Sequence, residues 1–191
     1  MKLKPESIKN IDVLYWADVM DEYERLLMNR YRKEGLLDRI LIMWFADAIA
    51  YSNKREEIIQ RFLESCYEDK ELVIISHSWG TIIALDIIHT FKLTNAILFT
   101  IASPLPLYVA KFPSREHLAS VFTFEITKPK KWINIYYKED IFAFPLKDYG
   151  AEDYELSSRC LLCKLPVIKR FKSHGEYFQD KRIKEIIAKN I

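Results

Sequence analysis

Apolar positions along the chain fall into two kinds of run. Residues 72–75 (Leu-Val-Ile-Ile), 96–102 (Ala-Ile-Leu-Phe-Thr-Ile-Ala) and 132–137 (Trp-Ile-Asn-Ile-Tyr-Tyr) are short, nearly continuous and rich in β-branched side chains. Residues 11–16 (Ile-Asp-Val-Leu-Tyr-Trp) have the same character. Runs of this length predict strands that are buried on both faces. Longer segments follow a different period. Residues 36–51 are apolar on most faces, with Trp44, Phe45 and Ala46 at their middle, and predict a buried helix or a helix pair. Residues 54–67 place Ile58, Ile59, Phe62, Leu63 and Cys66 at the three-to-four spacing of an amphipathic helix. Asp18 is placed to cap a helix through Tyr23, Leu26 and Leu27. A further helix runs from Gly80 to about Phe91, and residues 183–187 belong to a C-terminal one.

Doubly apolar strands separated by helices predict an α/β fold: a mainly parallel sheet of four or five strands between two helical layers. The 191 residues, 50% of them hydrophobic, suit a single domain over residues 1–191. The formal charge of +2 excludes the electrostatic footprint of a nucleic-acid binder. No apolar run reaches the roughly 18 residues of a membrane span. Three cysteines, an odd number, and no leader-like pattern point to a reducing, cytoplasmic setting. Cys160 and Cys163 have the spacing of half a zinc site, but no second pair exists and leucines flank them, so they are expected to pack rather than to bind metal.

The chemistry concentrates where the first buried run ends. Ser76-His77-Ser78-Trp79-Gly80 is a tight turn between a strand and a helix that starts with small residues. This is the setting in which a serine becomes a nucleophile, Ser78 here, with the backbone N–H of Trp79 and the helix N-terminus facing a developing oxyanion. Such a serine needs a base and a group that orients the base. Four histidines are present: His77 inside the turn, His89 late in the following helix, His117 in a loop, and His174 before the last helix. Asp140 follows the strand at 132–137, with Asp148 and Asp153 as rivals in the same connection. Ser103, which closes a strand ahead of Pro104, is a candidate polar contact to substrate. Residues 105–112 (Leu-Pro-Leu-Tyr-Val-Ala-Lys-Phe) are the candidate for a short lid.

The order Ser78, Asp140, His174 is that of α/β-hydrolases, and the chain resembles a small bacterial serine esterase, lipase or thioesterase of that superfamily. The likeness rests on the elbow at 76–80, Ala102-Ser103-Pro104-Leu105, the strand Trp132-Ile133-Asn134-Ile135-Tyr136 followed by Asp140, and His174 with Tyr177. Trp44, Asp47, Tyr51 and Arg55 resemble that group's helical segment. The resemblance implies an α/β-hydrolase-like domain that needs no cofactor or metal. Ser78 would be the nucleophile, His174 the base and Asp140 its orienter, acting on a carboxylic ester or thioester. It also implies an N-terminal strand and a His-Gly loop carrying a second oxyanion donor, which residues 1–10 do not supply. That departure predicts one of three outcomes: a substitute donor such as the loop after Trp16, self-association or a partner chain that covers the sheet edge, or a hydrolase-derived binding module that has lost turnover.

Overall fold

The computed structural model describes residues 25–26, 36–65, 72–111, 126–159 and 173–191. The expected strand at 11–16, His117 and the Cys160/Cys163 pair lie outside them; of the helix expected after Asp18 only Arg25 and Leu26 are described, and both are helical. The described residues fall into two compact units, one holding the helix α1 (Leu36–Ser65) and the other running from the first strand onward. Helix α1 spans 30 residues without a break, so Ser52 and Asn53 do not separate two helices. No helix among the described residues is long and apolar enough to cross a membrane.

In the second unit, β1 (Val73–His77), β2 (Ile97–Ile101), β3 (Lys131–Tyr137) and β4 (Glu152–Leu156) form a four-stranded sheet in the order β1-β2-β3-β4, every pair parallel. Helix α2 (Gly80–Phe91) connects β1 to β2, α3 (Leu105–Lys111) follows β2, and α4 (Lys181–Asn190) ends the chain. The α/β class and the parallel sheet agree with the apolar pattern. All five residues of β2 are buried, as is β3 from Trp132 to Tyr137. Phe99, Ile101, Ile133, Ile135 and Tyr137 join Tyr177 and Ile183 in one core. In β1 the expectation of full burial fails: Val73 and Ile75 are exposed. Among the described residues β1 is the last strand on its side and has a single strand neighbour.

Strand β4 lies inside what the sequence presents as one long connection. Three of its five residues, Glu152, Asp153 and Glu155, are acidic, and such charge is common at sheet edges because it blunts them. Its connection to β3 contains only a short 3₁₀ turn, Lys147–Tyr149, which closes at Gly150. Gly150 has φ 101, a conformation in which a Cβ would be strained. The turn hangs on Asp153, whose carboxylate accepts the N–H groups of Leu146 (2.9 Å) and Lys147 (2.9 Å). Asp153 also accepts the Asn134 side-chain amide at 2.7 Å, and that amide donates to Phe144 O at 3.0 Å. A partly buried polar chain thereby joins β3 to the loop that begins at Asp140.

Replacing Asp153 with alanine strips acceptors from these three donors. Unfolding free energy is expected to fall by about 2 kcal/mol in urea titrations. The isosteric Asn, which keeps one carbonyl oxygen, should recover part of it.

Candidate active site

β1, β2 and β3 each pass one more backbone hydrogen bond to the next strand beyond their own ends. Ser78 N–H donates to Ile101 O (2.9 Å), Ala102 N–H to Ile135 O (3.0 Å) and Lys138 N–H to Leu156 O (2.9 Å). At two of these positions the chain then turns left-handed: Ser78 has φ 52 and Ala102 φ 55. Non-glycine residues seldom adopt that region, and it costs them on the order of 1–2 kcal/mol. For Ser78 the conformation is secured from behind, because Thr81 donates both its N–H (3.0 Å) and its hydroxyl (2.7 Å) to Ser78 O.

The described residues bring Ser78, His174 and Asp140 into one line. Ser78 Oγ lies 2.7 Å from His174 Nε2, and His174 Nδ1 lies 2.8 Å from Asp140 Oδ2. A carboxylate only accepts, so Nδ1 carries the proton and Nε2 presents its lone pair to the serine hydroxyl. His174 sits in a 3₁₀ turn, Ser173–Gly175, with its side chain 21% exposed, whereas that of Asp140 is 0% exposed. The buried carboxylate has further donors: the Phe142 N–H to Oδ1 and the Tyr177 hydroxyl to Oδ2, both at 2.9 Å. Tyr177 in turn accepts the Tyr137 N–H (2.9 Å) and stacks on the Tyr137 ring at 4.2 Å. Burial, reinforced by the Asp140 charge, pushes the Tyr177 hydroxyl well above the usual tyrosine range, so it remains a donor. Tyr137 OH donates to Asp180, which caps α4 through the Arg182 N–H and pairs with the Arg182 guanidinium.

The rival candidates are placed elsewhere. Asp153 serves the β3–β4 connection as described, and Asp148 lies exposed in its 3₁₀ turn. The His89 ring accepts the Thr127 N–H at 3.3 Å. Ser103 is 0% exposed and shares a 2.7 Å hydrogen bond with Thr81, so its hydroxyl braces the turn under Ser78 and has no open face for substrate. Trp79 opens α2, where the first N–H groups of any helix lie outside its internal ladder. Its indole is buried edge-on against Tyr108 of α3, with ring centroids 5.3 Å apart, so part of the expected lid is an inward wall.

Two contacts escape the sequence reading. Thr81 as the brace of Ser78 carries no motif. His77 is the other: next to Ser78 in the chain, it reaches the His174 turn. Its Nε2 lies 3.1 Å from His174 O, and its ring meets those of His174 (5.2 Å), Tyr177 (5.7 Å) and Phe178 (5.1 Å). Burial, and then the neighbouring His174, lower its pKa from 6.5 to about 4. Among the described residues no group of three or more His, Cys, Asp or Glu could hold a metal ion. No protein-family model, curated protein or solved structure matches the chain.

Two outcomes follow from this geometry. Tyr177→Phe deprives Asp140 of a donor and the Tyr137 N–H of its acceptor; urea unfolding should show a loss of about 2 kcal/mol, and a change within experimental error would refute the assignment. In NMR titrations His77 should change charge near pH 4, against about 6.5 for an unfolded histidine. Across that window the unfolded state binds more protons, so the His77 contribution to stability falls as pH drops from about 6.5 to about 4. His77→Phe should flatten this part of the stability profile.

Proposed function

We propose that the chain is a serine hydrolase of α/β-hydrolase-like, three-layer fold that cleaves a carboxylic ester or thioester. The observation that carries the reading is the unbroken relay from Ser78 Oγ to His174 Nε2 (2.7 Å) and from His174 Nδ1 to Asp140 (2.8 Å). It is built on a strand-to-helix turn whose serine is held at φ 52. In this reading His174 Nε2 takes the hydroxyl proton as Ser78 Oγ attacks the acyl carbon. The oxyanion is stabilised by N–H groups at the start of α2, that of Trp79 first. His174 then gives its proton to the leaving alcohol or thiol. Water, deprotonated by the same imidazole, releases the acid and restores Ser78. Asp140 holds the imidazole in the required tautomer and stabilises its charged form. The odd cysteine count supports a reducing compartment such as the cytoplasm, and the outer side of β1 is where a second copy or a partner chain would join the sheet.

The test is labelling of the purified chain with a fluorophosphonate probe, which needs an activated serine and no natural substrate. Wild type should label, and Ser78→Ala, with unchanged circular dichroism, should not. A folded wild type that stays unlabelled would overturn turnover in favour of a hydrolase-derived binding module.

A further inference from the structure

The residue before Ser78 has a surface of its own. Alternation along β1 sends neighbouring side chains to opposite faces. Ser76 donates its hydroxyl to Phe99 O (2.9 Å), which ties it to β2. His77, one position on, extends to the chain segment that carries His174. The atom it meets is the His174 backbone carbonyl, 3.1 Å from its Nε2. A carbonyl only accepts, so His77 donates, and this fixes its tautomer with the proton on Nε2. The carbonyl belongs to a 3₁₀ turn of three residues, Ser173–Gly175, whose own hydrogen bond runs from Glu176 N–H to Ser173 O (3.2 Å) and does not use His174 O. Its imidazole is held at one end by Asp140 and Ser78, and its backbone by His77.

We infer that His77 is a positioning residue for His174: its Nε2–H fixes the backbone of the base's turn and sets the angle at which His174 Nε2 faces the Ser78 hydroxyl. This rests on the hydrolase reading for its consequence in rate, but the contact itself is independent of turnover. The ring stands among His174, Tyr177 and Phe178, and the Asp140 charge acts on it. Burial keeps the ring uncharged at neutral pH, so the brace supplies a hydrogen bond without a second positive charge beside the base. A base displaced by a fraction of an ångström loses rate, not substrate affinity. A glutamine at this position carries a neutral N–H donor at about the same reach as the imidazole Nε2, whereas phenylalanine keeps the ring shape and loses the donor.

The experiment compares wild type, His77→Gln and His77→Phe by two readouts. The first is the rate of fluorophosphonate inactivation, with kcat and KM for p-nitrophenyl acetate. The second is the downfield proton NMR resonance of the His174 Nδ1–H against Asp140. Expected are about a tenfold lower inactivation rate and kcat in His77→Phe with little change in KM, an exchange-broadened or lost downfield resonance, and recovery of most of both in His77→Gln. Wild-type rates and a sharp resonance in His77→Phe would overturn the proposal. Equal losses in both variants at unchanged Tm would also overturn it, because the ring's packing and not its donor would then be the cause. A wild type that does not react with the probe overturns the hydrolase reading alone, and the resonance series still decides the role of His77.

Discussion

A carboxylate with no exposure to solvent sets the terms for the rest of this site. Removing an ion from water costs several kcal/mol even after relaxation, so a buried Asp140 is tolerable only with its oxygens occupied. The donors come from separate parts of the chain: the Phe142 N–H from the loop after β3, and His174 Nδ1–H and Tyr177 OH from consecutive 3₁₀ turns near the C-terminus. Satisfying Asp140 therefore requires the C-terminal segment to lie on the end of β3. The Tyr137–Tyr177 stack and the Tyr137–Asp180–Arg182 chain hold it there, and Arg182 reaches on to Ser157 O beyond β4. The imidazole aimed at Ser78 is one of the groups that neutralise this cost, so its orientation follows from the folding energetics of a neighbour.

The site divides into groups that reach solvent and groups that hold them in place. Ser78 and His174 are partly exposed, while Asp140, Ser103, Thr81 and Tyr177 are buried. Each buried group has its polar atoms engaged: Thr81 with Ser78 O and Ser103, Tyr177 with Asp140 and Tyr137. Such a buried polar network is rigid only when every member is satisfied. It is the means by which a serine at φ 52 is kept in a conformation it would leave if free.

What the amino-acid pattern reveals follows from what writes it. Burial on both faces writes continuous apolar runs, so β2 and β3 are readable to within a residue, and the elbow is readable because a strand, small residues and Gly80 punctuate it. Strand β4 obeys no such rule. Three of its five residues are acidic, it is the last strand on its side among the described residues, and its backbone pairing with β3 leaves no trace in composition. Helix α1 shows the reverse error, since polar Ser52 and Asn53 look like punctuation but a helix passes through them once its neighbouring turns are committed. Asp140 and its rivals cannot be ranked by chain position alone. What separates them is which carboxylate the β3–β4 connection uses for itself, and Asp153 takes that part. Ser103 and His77 fall to the same limit: a hydroxyl or an imidazole looks alike in sequence whether it faces substrate or a neighbouring turn.

The extra backbone hydrogen bond at the ends of β1, β2 and β3 has a mechanical meaning. Ser78 is tied to Ile101, and Ala102 to Ile135, so serine, acid and base keep their spacing only while the register of β1 on β2 and of β2 on β3 is kept. A slip of one residue moves a strand by about 3.3 Å, more than the whole reach of a hydrogen bond. Tension along β1 that shifted this register would part Ser78 Oγ from His174 Nε2. The spacing of the three side chains thus gauges the register of the sheet beneath them.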